Sequence, residues 1–181
     1  MTPRSFVDEA IILARKNYSE ADRILVVYSK NHGKLSLLAK GVRRPASRKR
    51  GHLEVFSHIR FQAQRHQGLD ILTEAETIEN YREIRVDLKK TSVAYYFIEA
   101  VVKTTNESEK NRDFFDFLDR SLRELKMEKD LKTYRLNFTK ELLVRLGFWP
   151  KERMLFNPEE KLKEVAERSI NSIRVGKKIL A

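Results

Sequence analysis

Between Gly41 and Gly51 the chain carries Arg43, Arg44, Arg48, Lys49 and Arg50, with Pro45 among them. Guanidinium and ammonium groups at that density suit charge-assisted hydrogen bonding to phosphate oxygens, because long side chains follow a polyanion without a fixed base geometry. From Lys30 to Arg65 there are ten Lys and Arg against Glu54 alone, a local net of +9 in a chain whose total is +11. An ordinary solvated surface mixes its signs; this excess is concentrated. Lys34, Lys40, Arg43, Arg44, Arg48, Lys49, Arg50 and Arg60 are therefore the candidate nucleic-acid contacts. The flanking glycines and the proline predict a loop that is flexible when free. Two competing readings are a merely solubilising loop and docking on anionic lipid, but no amphipathic anchor accompanies the run.

Single strands are held by base stacking as well as by phosphate contacts. Phe56, next to His58 and Arg60 on the polar side of an alternating segment, is the aromatic whose position suggests exposure and a stacking role. The commoner fate of a large aromatic is burial, here beneath an adjoining helix. Tyr28 and Phe61 read as core.

Other chemistry is poorly supplied. Zero cysteines remove thiol nucleophiles, disulfides and cysteine-ligated zinc. His32, His52, His58 and His66 show no metal-ligand spacing, so no metal and no cofactor are expected. The glycines are isolated, with no GxxxxGK[ST] or GxGxxG, and no GxSxG elbow occurs. Asp8, Glu9, Glu74, Glu76 and Glu79 are scattered along strands, and Glu159-Glu160 fits the acidic start of a helix. The chain reads as a binding protein, not an enzyme. No apolar run of bilayer length and no signal-peptide core is seen, so a cytoplasmic, nucleoid-associated protein with no membrane partner is expected.

The elements that must position the basic run are β-rich. Residues 6–15, 22–30, 33–40, 53–65 and 69–79 read as strands, with Asn31-His32-Gly33 and His66-Gln67-Gly68 as hairpin links. In 53–65, Leu53, Val55, Ser57, Ile59, Phe61 and Ala63 share one face. Five short strands predict a small barrel; a five-stranded OB-fold is the best-sized candidate, though strand count alone does not separate it from an SH3-like barrel. After Tyr81 the period becomes helical. Residues 91–103 are apolar around most of the circumference, predicting a central helix. Further helices are predicted at 111–127, with Phe114, Leu118, Leu122 and Leu125 in one stripe, and at 131–146, ended by Gly147 and Pro150. A last one begins at Asn157-Pro158 and runs to about Ile170. The expected class is α+β: a barrel domain over residues 1–80 and an all-helical domain over 81–181.

These segments resemble the RecO family of bacterial recombination mediators. The resemblance is carried in order by Tyr18-Ser19-Glu20-Ala21-Asp22-Arg23-Ile24, His32-Gly33-Lys34-Leu35, Ala39-Lys40-Gly41-Val42-Arg43-Arg44, Ser47-Arg48 and Leu69-Asp70-Ile71-Leu72-Thr73-Glu74-Ala75. Ala94-Tyr95-Tyr96 continues it, and Leu146-Gly147-Phe148-Trp149-Pro150 resembles the family's Leu-Gly-Tyr-x-Pro helix end. It covers about residues 5 to 150. The resemblance implies an OB-fold followed by a helical domain that binds single- and double-stranded DNA, anneals complementary strands and assists recombinase loading on DNA coated by single-strand binding protein. It implies Lys40, Arg43, Arg44 and Arg48 as DNA contacts, with Lys34 secondary. Implied partners are RecR and the acidic C-terminal tail of the single-strand binding protein, with Arg120, Arg123, Arg135 and Lys140 as candidates for the tail. In one respect the sequence departs: many family members carry a four-cysteine zinc module after the Gly-x-x-Pro element, whereas here Lys151 to Met154 lead directly to the Asn157 helix. The sequence thus reads as a short form whose RecR contact lacks that zinc lobe. Residue types alone leave open an RNA-associated OB protein, a metal-dependent nuclease and a structural adaptor.

Overall fold

The computed structural model describes residues 5–166, in which five strands precede five helices. The strands are β1 (Ser5–Asn17), β2 (Arg23–Ser29), β3 (Gly33–Ala39), β4 (His58–Gln64) and β5 (Asp70–Glu79). They close into a barrel in the order β1-β2-β3-β5-β4, with β4 returning to β1. Every pairing is antiparallel except β3 with β5, which meet in parallel at Leu37–Asp70 and Leu38–Ile71. This is the five-stranded OB-type barrel expected from the strand spacing.

Period-two alternation fills the interior. Ala10 and Ile12, Leu25 and Val27, Leu37 and Ala39, and Ile59, Phe61 and Ala63 form one buried cluster with Val42, Leu53 and Leu72. Closure requires the longest strands to bend. β1 pairs with β4 through residues 5–11 and with β2 through 10–17, and its register shifts between Ile12 and Ala14. β5 shifts twice against β4. An extra residue on one strand raises local twist, which lets a single strand serve two walls.

The strand expected from residue 53 begins only at His58. Residues 53–57 instead turn beneath β1: the Phe56 N–H donates to the Ile12 carbonyl (2.7 Å), the Ile12 N–H donates to the Ser57 carbonyl (3.0 Å), and Phe56 has a left-handed φ of 53°. Phe56 is 1% exposed, so it cannot stack a base, and its assignment as a nucleic-acid contact is corrected. His58, also expected on an exposed face, is buried. Its ring nitrogens approach Glu9 (3.5 Å) and Asp119 (3.1 Å), and its ring lies edge-on to Phe115. Alternation misleads here because protein covers both faces of the start of β4.

Backbone contacts divide the chain into two units. One holds the chain to Asn80 together with Asn106–Asp119; the other holds Tyr81–Thr105 and the residues from Arg120 onward. Residues 106–119, placed by the sequence reading in the helical domain, thus cluster with the barrel. The Ser108 N–H donates to the Lys34 carbonyl (2.9 Å), and Phe114 packs on Tyr28 at 5.0 Å between ring centroids.

The helices are α1 (Arg82–Arg85), α2 (Leu88–Thr104), α3 (Arg112–Leu125), α4 (Leu131–Arg145) and α5 (Pro158–Val165). Their starts follow capping chemistry: Asp87 accepts from the Lys89 and Lys90 N–H groups, Asp130 from Thr133, and Asn157 from Glu160 with Pro158 next to it. Helix α2 is the central helix of its unit, with Phe97 stacked on Phe138 of α4 at 3.7 Å and the Tyr96 hydroxyl 2.6 Å from Thr139 Oγ1. Glu159, read as a helix-start acid, also forms a buried ion pair with Arg135. The expected continuation to Ile170 lies outside the described residues. No described helix is long and apolar enough to cross a membrane.

Candidate nucleic-acid interface

The basic run leaves the end of β3 at Lys40 and returns to the sheet at His58. The arm is not an open loop: its backbone is held to the barrel at several points. The Gly41 N–H donates to Asp22 Oδ1 (2.7 Å) and the Arg43 N–H to the Ala21 carbonyl (2.9 Å). The Arg43 guanidinium donates to the Ser19 carbonyl (2.6 Å). Val42 and Leu53 plug into the barrel core. Between them Arg48–His52 form a 3-10 turn, and the Thr77 N–H donates to His52 Nδ1 at 3.2 Å, which makes that nitrogen an acceptor. Lys49 Nζ donates to the Leu72 carbonyl (3.1 Å). Two buried plugs and this set of anchors hold the backbone of the arm against the barrel, with Arg43 and Lys49 as its side-chain ties.

That arrangement encloses a cleft of about 640 Å³ between the arm and β5. Arg44, Arg48, Lys49 and His52 line one wall, and Thr73 and Glu74 the other. Arg44 and Arg48 are exposed, as is Lys40 at the base of the arm, while Lys49 is half-buried and burial lowers its pKa. Phosphate oxygens entering the cleft meet guanidinium donors in fork geometry, with the single carboxylate of Glu74 opposite.

The other candidates lie elsewhere. Arg43 and Arg50 turn toward the β1–β2 hairpin, where they lie close enough to Arg23 to act on its charge. Burial, then Arg15, Arg43 and Arg50, pull the Arg23 pKa down, with Glu54 opposing. Arg15 and Arg23 were missed because the charge count began at Lys30; the signal available was a basic hairpin end joined to the strand that precedes the arm. Lys34 sits at the opposite end of β3, roughly 20 Å from the arm at ~3.3 Å per residue, half-buried beside Glu107. Arg60 is exposed on β4 but approaches Glu9 at 3.9 Å and pairs opposite Glu76, outside the cleft.

In the helical unit, Arg135 is buried against Glu159, and Arg120 pairs with Glu141 at 2.8 Å. Lys140 lines a separate cleft of about 610 Å³ with Arg145, Lys151 and Val144. Among the described residues no group of three or more His, Asp or Glu is placed to hold a metal ion.

Two family models match the chain: Recombination protein O N terminal over residues 1–81, and Recombination protein O C terminal over 85–153. The chain is 34% identical over 142 residues to the DNA repair protein RecO of Pelotomaculum thermopropionicum, covering 78% of this chain and 55% of that protein. With the protein of the same name from Desulforamulus reducens it shares 37% identity over 110 residues, or 61% and 43% of the two chains. With that of Desulforudis audaxviator it shares 32% over 147 residues, or 81% and 59%. The chain thus spans about half the length of the curated relatives it matches.

Proposed function

From the chain's membership of the RecO family, we propose that it acts in recombinational DNA repair by binding DNA through the arm and barrel. The observation that carries this reading is the placement of Arg44, Arg48 and Lys49 along one wall of the β5 cleft. An arm whose backbone is anchored loses less conformational entropy on meeting a strand than a free loop does, so more of the ion-pairing free energy appears as affinity. Binding single and double strands on one sequence-tolerant surface supports annealing of complementary strands. The proposed protein is a non-enzymatic mediator, in which annealing is driven by binding alone.

On this reading the activity works on DNA coated by single-strand binding protein, where it assists recombinase loading. We assign the acidic tail of that protein to the cleft where Lys140 and Lys151 lie with the apolar Val144, and where Glu141 is already engaged by Arg145 at 2.8 Å. RecR is the second partner in this reading. The test is annealing of complementary oligonucleotides precoated with single-strand binding protein, without ATP. Accelerated annealing that Lys140→Ala and Lys151→Ala together reduce on coated but not on bare strands supports both assignments. No acceleration on bare strands overturns the DNA role. A strong preference for matched RNA strands turns the reading to an RNA-associated protein, and cleavage of the strands with magnesium turns it to a nuclease.

A further inference from the structure

The two walls of the cleft differ in kind. One carries the cations Arg44, Arg48 and Lys49; the other is the side of β5 that faces the arm, at Thr73, Glu74 and Ala75. β3 pairs with β5 only at Asp70 and Ile71, so beyond that point β5 has a strand neighbour on its β4 side alone. Side chains of the arm cap both ends of the open stretch. Lys49 Nζ donates to the Leu72 carbonyl (3.1 Å), and the Thr77 N–H donates to His52 Nδ1 (3.2 Å).

Between those caps the ladder fixes where the peptide groups point. Thr77 stands opposite Ile59, Glu76 opposite Arg60 and Ala75 opposite Phe61, with no register shift among them. In an antiparallel pair the N–H and C=O of a residue turn toward the partner strand at every second position. The Thr77 N–H turns away from β4 to reach His52, so the N–H and C=O of Ala75 also turn away from β4, toward the cleft that Ala75 lines. Among the described residues no backbone group from the arm bonds to them.

An open strand edge is a template for a further strand. A peptide backbone supplies both the acceptor and the donor that Ala75 presents. The sugar–phosphate backbone of DNA offers oxygen acceptors, which suit the arm but leave the Ala75 carbonyl without a donor. The arm wall sets the charge of the occupant: three cations against the one carboxylate of Glu74 select an acidic segment. Residues 167–181 of the chain, with Arg168, Arg174, Lys177 and Lys178 against Glu167, have the wrong sign to fill it.

We propose that an extended acidic peptide of a partner protein adds to β5 as a strand, hydrogen-bonded to Ala75 with its carboxylates meeting Arg44, Arg48 and Lys49, and that it excludes DNA from the cleft. The peptide site stands on the β5 edge; its consequence, release of a bound strand, rests on the DNA-binding reading above. It is separate from the Lys140 and Lys151 cleft, which belongs to the helical unit.

The test is fluorescence anisotropy of the full chain with a labelled six-residue peptide of alternating glutamate and valine. The same peptide methylated at every backbone nitrogen keeps the charge and lacks the N–H donors. The unmethylated peptide binds, methylation lowers its affinity roughly 10-fold or more, and unlabelled peptide displaces a labelled oligothymidylate. Ala75→Pro removes an N–H that β4 does not use; it lowers peptide affinity and leaves oligothymidylate affinity unchanged. Lys140→Ala with Lys151→Ala leaves peptide affinity at the wild-type level. The methylated peptide needs no variant, so that comparison holds even where proline perturbs the barrel. Equal affinity for the two peptides means attraction by charge alone and overturns the inference, as does absence of peptide binding, or binding that leaves the oligothymidylate in place. In each case the proposed function stands as long as the oligothymidylate is bound. If the wild-type chain does not bind the oligothymidylate, the DNA-binding reading fails and the peptide comparison still decides the β5 site.

Discussion

Gly33 is where the turn between β2 and β3 meets the segment that follows α2, and replacing it with alanine gives a cost that the geometry sets. Gly33 has φ of +71°, a left-handed conformation that costs an L-residue about 1–2 kcal/mol. A Cβ built there lies 2.2 Å from the Glu109 carbonyl oxygen and 2.7 Å from its carbonyl carbon. Both are backbone atoms, so relief requires the segment around Glu109 to retreat. That retreat weakens the hydrogen bond from the Ser108 N–H to the Lys34 carbonyl, worth about 1 kcal/mol. Against this stands a gain of about 0.4–1 kcal/mol from the stiffer unfolded chain. Gly33→Ala is expected to lose roughly 2 kcal/mol, read as a lower urea midpoint with unchanged slope. DNA affinity well below the unfolding transition is expected to stay at the wild-type level, because the arm leaves the other end of β3. A midpoint equal to wild type refutes the packing of residues 106–109 on the barrel.

Asp8 is buried and accepts hydrogen bonds from Ser29 Oγ, the Asn31 N–H and side-chain amide, and His32. Burial pushes its pKa up, but the bonds from Ser29, His32, Glu9 and Asn31 outweigh it and leave the carboxyl below its ordinary 3.8. A depressed folded pKa adds stability above the unfolded value that is lost as pH falls through the folded one. Asp8→Asn is therefore expected to lower stability at pH 7 by about 2 kcal/mol and to flatten the acid limb below about pH 4, measured by urea unfolding across pH. In the helical unit, Arg135→Met leaves the buried Glu159 carboxylate without its guanidinium. It is expected to cost about 3–5 kcal/mol, and adding Glu159→Leu recovers part of that loss; a double variant as unstable as the sum of the singles argues against the pair.

The barrel was legible in the sequence because period-two alternation reports burial directly wherever one face meets the core, as at Ile59, Phe61 and Ala63. It failed where a third layer covers the other face: nothing in the local pattern shows that Phe115 and Asp119 come back over His58, so His58 and Phe56 read as exposed. The start of the last helix was legible because Asn157 acts on the Glu160 N–H three residues on, whereas the Asp87 cap that starts α2 at Leu88, three residues before the expected 91, went unread. Composition located the arm, but its anchoring rests on Ser19, Ala21, Asp22, Leu72 and Thr77, all distant in sequence from the charges they fix. For the same reason Lys34 and Arg60 counted as neighbours of the arm in sequence and are not neighbours in space, while Arg15 and Arg23 are close to it and went uncounted.

Phosphate contact by the cleft cations is measured directly by the salt dependence of single-strand affinity. Each neutralised phosphate contributes about 0.7 to the slope of log affinity against log salt. Replacing Arg44, Arg48 and Lys49 together with alanine is expected to reduce the magnitude of that slope by about 2, with Arg60→Ala leaving it unchanged. A triple variant that keeps the wild-type slope contradicts the assignment of the cleft.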